Sequence, residues 1–233
     1  MGIFGFGKPD IDALKRQGDI EGLTTALSYT RDATVRQSAT EALGETFSPR
    51  AIPPLTIALT DSDNEVRKRA AWALGKILDP QAIVPLTVAL RDSDNEVRVN
   101  AVRALGRIGD PQAIAPLTAA LTDSDNDVRN RAVLALGMIS DFRVITPLTA
   151  ALRDPDPQVR LSAMGALSEI SDPRAVDSLI IALRDSDPNI RKRTTWALGW
   201  MGDLRAIAPL TVALTDSDAE VRDGAAGALQ KLR

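Results

Sequence analysis

The chain of 233 residues contains no cysteine and no histidine. Without cysteine there is no disulfide and no thiol chemistry. Without histidine the commonest general base and the commonest metal ligand are both missing. Aromatic residues make up only 3% of the chain against 44% hydrophobic residues in total, so the core has to be built from Ala, Leu, Ile and Val. Net charge is only −3, too little positive charge for non-specific nucleic-acid binding. No apolar run approaches the ~20 residues that span a bilayer. Met1 to Lys8 carries Ile3, Phe4 and Phe6 between glycines but lacks the basic start and long apolar stretch of a secretory signal. A cytoplasmic protein is expected, with residues 1–9 as a flexible tail and 10–233 as a single body.

What the chain has instead is a repeat. A Val-Arg or Ile-Arg pair places arginine at 36, 67, 98, 129, 160, 191 and 222, always 31 residues apart, and Ala-Leu follows six and seven residues after each. A fixed period of this length marks a solenoid, in which each unit is one supersecondary element that buries its apolar face only against its neighbours. Within a unit, Asp79-Pro80 reads as the N-cap and first residue of one helix, through Ile83, Leu86 and Leu90. Pro85 lies inside that helix and is expected to kink it, as are Pro54, Pro116, Pro147 and Pro209. Asp94 caps a second helix that ends near Gly109; Asp156-Pro157 and Asp187-Pro188 support that assignment. Ile11 to Gln17 reads as a short N-terminal capping helix. The expected fold is all-α: seven helix pairs preceded by that cap.

Numbering from the arginine as position 0 and turning 100° per residue, positions −1, +3, +6, +7 and +10 fall on one apolar arc, the core face. Positions −2, +1, +2, +5 and +9 fall opposite and vary freely. Position +8 is usually glycine (Gly44, Gly75, Gly106, Gly137, Gly199), which suggests close helix approach between layers. An Asp six residues before each arginine from the second unit onward suggests that the arginines bond loop carboxylates and carbonyls in their own or the next layer. Both aspartates of the Asp-Ser-Asp loops are read as N-caps, not as metal ligands; the twelve-residue frame of a calcium loop is missing.

The units resemble HEAT repeats, in particular the short HEAT-like type first associated with phycobilisome lyases. The residues that carry the resemblance are Asp110-Pro111-Gln112-Ala113-Ile114-Ala115-Pro116-Leu117 and Val128-Arg129-Asn130-Arg131-Ala132-Val133-Leu134-Ala135-Leu136-Gly137. The resemblance implies a right-handed α-solenoid whose second helices line a concave face, so the variable arc is expected to be concave and solvent-facing. The fifth unit departs from the pattern, with Ser168 for the glycine and Ser178 for the next proline, which puts its kink in doubt.

All three tryptophans lie on the variable arc: Trp72 and Trp196 at +5 and Trp200 at +9. Leu134, Met138 and Leu161 share it, as do Arg103, Arg107, Arg131 and Arg193. Units two to four carry no acid at +1, +2, +5 or +9, so part of the groove is expected to be basic. Trp and Arg are the types enriched at interface hot spots. These ten residues form the candidate partner-binding surface, anchored by Leu134, Met138, Leu161, Arg193 and the pair Trp196 and Trp200 one turn apart, with Gly165 leaving a recess between Leu134 and Trp196. The expected function is a non-catalytic scaffold for another protein or peptide, one with an acidic segment among the candidates, and no cofactor is expected. The alternative implied by the resemblance is a bilin lyase-like tetrapyrrole chaperone or enzyme subunit; nucleic-acid binding ranks below both.

Overall fold

The computed structural model describes residues 8–170 and 172–232. Most of the expected flexible tail therefore lies outside the described residues. Among those described there are fifteen α-helices and no strand. The chain divides into two compact units, Met1–Pro116 and Leu117–Arg233. The first contains α1 (Ile11–Gln17), α2 (Ile20–Ala26), α3 (Ala33–Gly44), α4 (Ile52–Ala58), α5 (Asn64–Ile77), α6 (Ile83–Ala89) and α7 (Asn95–Ile108). The boundary falls in α8 (Ile114–Ala120). The second unit contains α9 (Asn126–Gly137), α10 (Ile145–Ala151), α11 (Pro157–Glu169), α12 (Arg174–Ala182), α13 (Pro188–Met201), α14 (Ile207–Ala213) and α15 (Ala219–Lys231).

Each pair starts as the sequence suggests. Asp94 accepts hydrogen bonds from the Glu96 and Val97 N–H groups, and Asp156 and Asp187 cap helices whose first residue is proline. The short helix Ile11–Gln17 packs on α2 and α3. Within each unit the second helices lie side by side, α3 on α5 on α7 and α9 on α11 on α13 on α15, with the first helices packed against them.

The expected proline kinks are corrected by the structure. The first helix of a pair opens as a separate 3-10 turn, Pro80–Ala82 for example, and the α-helix begins after it at Ile83. Pro85 is then the third residue of that α-helix, where its N–H would have no intrahelical partner, so no bend is required. Where Ser178 replaces the proline, α12 runs unbroken from Arg174 to Ala182.

The core follows the predicted arc, with Val66, Ala70, Ala73 and Leu74 completely buried in α5. Two rows were misplaced. Position +4, left unassigned, is buried in Thr40, Ala71, Val102, Val133 and Thr195, because it faces the neighbouring second helix. Position +1, assigned to solvent, is buried at Val99 and half-buried at Leu161. The +8 glycines do mark close approach. A Cβ on Gly75 would lie 2.7 Å from the Cβ of Ala104, and one on Gly44 2.6 Å from that of Ala73.

The arginines form an inter-layer ladder. Arg67 donates from Nε and Nη2 to the two Asp92 carboxylate oxygens at 2.7 and 2.9 Å, and from Nη1 to the Asp61 carbonyl at 3.0 Å. The same bidentate pairing joins Arg36 to Asp61, Arg129 to Asp154, Arg160 to Asp185 and Arg191 to Asp216. The first loop aspartate is therefore not an N-cap, as the sequence reading had it. It receives the preceding arginine and, at Asp92, the Asp94 N–H at 2.9 Å.

Candidate functional site

In α13 the residues Ile190, Thr194 and Leu198 are completely buried. Residues three and six beyond Ile190 turn the other way, so Arg193 and Trp196 face outward, with Trp200 one turn further on. Thr194 is buried on the opposite side, and its hydroxyl is satisfied there by donating back to the Ile190 carbonyl at 2.7 Å. The two indoles are the outcome of this division: Trp196 is 53% and Trp200 79% exposed.

The neighbouring α15 supplies a floor with almost no side chains. A Cβ on Gly224 would lie 3.2 Å from the Trp196 Nε1, and one on Gly227 would meet nothing within 4 Å. The result is an open recess of about 600 Å³ walled by Trp196 and Trp200 and floored by Gly224, Gly227 and Ala228. On its rim Lys192 pairs with Glu220, and the Lys231 ammonium sits 3.9 Å from the centre of a Trp200 ring. A second recess of about 420 Å³, lined by Ile170, Val176 and Met201, lies against Trp200 as well. Trp200 therefore stands as a partition between two concavities. Flat and apolar groups fit such walls; Lys192 and Lys231 face Glu220 and Asp223 around the first recess, and Asp172 and Asp203 line the second.

The other sequence-predicted residues are distributed more widely. Leu134 on α9 and Met138 at its C-cap are 42% and 59% exposed, but neither lines the recess at the tryptophans. Leu161 is half-buried, and a Cβ on Gly165 would meet nothing within 4 Å, but the recess at the tryptophans lies over Gly224 and Gly227 and not at Gly165. Arg131 is half-buried and paired with Asp127 at 3.2 Å. In the first unit Trp72 is half-buried with the Lys76 ammonium 4.5 Å from its ring centre. Arg103 and Arg107 are exposed, and neither forms an ion pair among the described residues. The structure thus brings Trp196 and Trp200 together and leaves Trp72, Arg103 and Arg107 as a separate group in the other unit.

The expected basic stretch in units two to four is weaker than sequence position implied. The acids at −2 reach the cations one turn on: Glu65 pairs with Lys68 at 2.5 Å and with Arg69 at 3.2 Å, and Arg69 also reaches Glu41. Residues three and four apart are neighbours on a helix surface, so counting acids only at +1, +2, +5 and +9 overstated the free charge. The recess residues missed from sequence are Gly224, Gly227 and Lys231. The signal was available: small residues at +2 and +5 of the last unit sit one period after Arg193 and Trp196.

The sequence matches the HEAT-repeat family over residues 20–95, 83–154 and 145–230. No curated protein matches it. Among solved structures it is similar to an engineered protein from a structural genomics consortium, 26% identical with a TM-score of 0.58, covering 95% of this chain and 70% of that one. It is also similar to YibA of Escherichia coli, 22% identical with a TM-score of 0.60, over 95% of this chain and 84% of that one. A third is the complex of CpcE and CpcF of phycocyanin lyase from Nostoc sp. PCC7120, 21% identical with a TM-score of 0.55, over 92% and 94%. No described helix is long and apolar enough to cross a membrane. With its helix pairs, its arginine ladder and family matches over most of its length, this chain belongs to the HEAT-repeat family.

Proposed function

We propose that this protein is a non-catalytic, cytoplasmic scaffold that binds another protein or peptide through the variable face of its second helices, with Trp196 and Trp200 as anchor. HEAT repeats are typically protein-interaction scaffolds. The observation that carries the proposal is the pair of exposed indoles standing over a glycine floor. Large aromatic surface held in water beside a preformed recess is what a partner's apolar side chain would cover, and Trp is the residue most enriched at hot spots. Arg193, exposed and without an ion pair among the described residues, would orient an acidic segment of the partner.

Affinity capture with wild-type chain beside a Trp196→Ala, Trp200→Ala variant tests this. A partner retained by the first and lost from the second, with matched thermal melts, is the expected result. Equal retention by both would remove the anchor from these residues.

A second reading is a tetrapyrrole chaperone or lyase subunit. Two indoles beside a recess of about 600 Å³ suit a planar chromophore, and one fold neighbour is a phycocyanin lyase. A red or blue shift in bilin absorbance on mixing, absent with the double variant, would favour it.

A further inference from the structure

Position +11 lies at or just past the end of a second helix: it is the C-cap of α5, α7 and α13, and it falls three residues beyond Gly44 at the end of α3. In Gly109 and Gly202 it has φ of 68° and 70°, the left-handed conformation that glycine adopts without a Cβ clash. Two units put a bulky apolar residue there instead. Phe47 has φ of 50° and Leu78 has φ of 58°, and they are the two non-glycine residues with positive φ among the described residues. Such strain persists only where something compensates for it. Burial in the core does not: Phe47 is 59% and Leu78 53% exposed.

Both turns lie in the first unit and emerge side by side, since the last turns of α3 and α5 touch at Gly44 and Ala73. Lys76 stands between Phe47 and Trp72, its ammonium 5.2 Å from the Phe47 ring centre and 4.5 Å from that of Trp72. Lys76 forms no ion pair among the described residues, and the nearby Glu45 is taken by Lys15. On the next second helix, Arg103 and Arg107 occupy the places of Trp72 and Lys76, both exposed and both without a carboxylate partner among the described residues. Cations in the last turn complement the helix dipole, which accounts for Lys76 and Arg107 but not for the two strained apolar side chains.

We infer that Phe47, Leu78 and Trp72, with Lys76, Arg103 and Arg107, form a second docking surface that takes an acidic peptide segment carrying apolar side chains. The apolar side chains of that segment would cover Phe47 and Leu78, and its carboxylates would meet the three unpaired cations. This surface is independent of the tryptophan pair of the second unit, so either can fail without the other.

Selection of a displayed random peptide library on the full chain tests the inference. Enriched sequences should combine Asp or Glu with aliphatic or aromatic residues. A synthetic peptide of the enriched sequence should bind at least 10-fold more weakly to a Phe47→Gly, Leu78→Gly variant and to a Phe47→Asn, Leu78→Asn variant. Glycine and asparagine both accept the left-handed turn, so the melting temperature should stay the same or rise. The Trp196→Ala, Trp200→Ala variant should bind that peptide as wild type does. Failure to enrich any peptide, enrichment of basic or uncharged sequences, or full affinity in both Phe47/Leu78 variants would overturn the inference. So would a clear fall in melting temperature, which would place the two side chains in the fold, or retention of single-stranded nucleic acid or anionic vesicles by these same residues in place of the peptide.

Discussion

Replacing Arg160 by alanine removes one rung of the ladder. Arg160 donates to Asp185 at 2.8 and 3.0 Å and to the Asp154 and Pro155 carbonyls at 3.0 and 3.3 Å. The side chains of the pair are 13% and 6% exposed. Its removal strands a mostly buried carboxylate that keeps the Asp187 N–H at 2.8 Å as its main donor. Breaking a buried pair from one side costs about 3–5 kcal/mol, and the surviving N–H bond together with partial solvent access brings the expectation to about 3 kcal/mol. For a chain of this size that corresponds to a fall in melting temperature of roughly 6–12 °C. Arg160→Lys should recover only part of it, because a single ammonium cannot span both oxygens. A double-mutant cycle with Asp185→Ala should show coupling of about 2 kcal/mol, read from urea unfolding. Coupling near zero with a melting shift under about 2 °C, small against that expectation, would refute the reasoning.

The close approach at the +8 glycines reverses the usual propensity rule. Gly75→Ala should destabilise by about 2 kcal/mol through its clash with Ala104, whereas Gly165→Ala, with open space around it, should stabilise by up to about 1 kcal/mol in the same urea assay. Acid should unfold the protein through the ladder. Burial pushes the Asp61, Asp92 and Asp185 carboxyls up, but hydrogen bonds from Arg36, Arg67 and Arg160 hold them below the ordinary carboxylate value; at Asp216 the Arg191 bond leads. Folded values below unfolded ones mean stability that is present above about pH 4 and lost as pH falls further, so urea midpoints should be flat from pH 7 to 5 and drop below about 4. Midpoints that hold steady to pH 2.5 would contradict this. The Phe47→Gly, Leu78→Gly variant should melt no lower than wild type.

The period made most of the architecture readable. Val-Arg every 31 residues, Asp before each helix and glycine at +8 each report a contact that recurs, so one unit explains the rest. The errors are where a residue's partner lies in the next layer. The angular division of one helix has no term for its neighbour, so the +4 row and Val99 were misjudged. The arginine bonds to loop carboxylates and carbonyls were expected, but the first loop aspartate was given a cap role as well, whereas it is taken up by the arginine 25 residues earlier. Proline looked disruptive because the switch from 3-10 to α geometry, which moves it to a third helical position, leaves no mark in composition. At the candidate site the exposure of Trp196 and Trp200 was legible from helical spacing. The glycine floor was legible too, since Gly224 and Gly227 lie one period after Arg193 and Trp196, but residues without side chains were not counted towards a site. The left-handed Phe47 and Leu78 were invisible because nothing in either residue type announces positive φ.

Partner binding through the face that carries Trp196 and Trp200 can be read from the two indoles themselves. A Trp72→Phe variant leaves these two as the only tryptophans in the chain. Their exposures of 53% and 79% make them strongly quenched by acrylamide in the free protein. On saturation with a partner protein captured by the wild-type chain, quenching should fall and the emission shift to the blue, as both indoles lose contact with water. A partner that binds at saturation while quenching and emission stay as in the free protein would contradict the account.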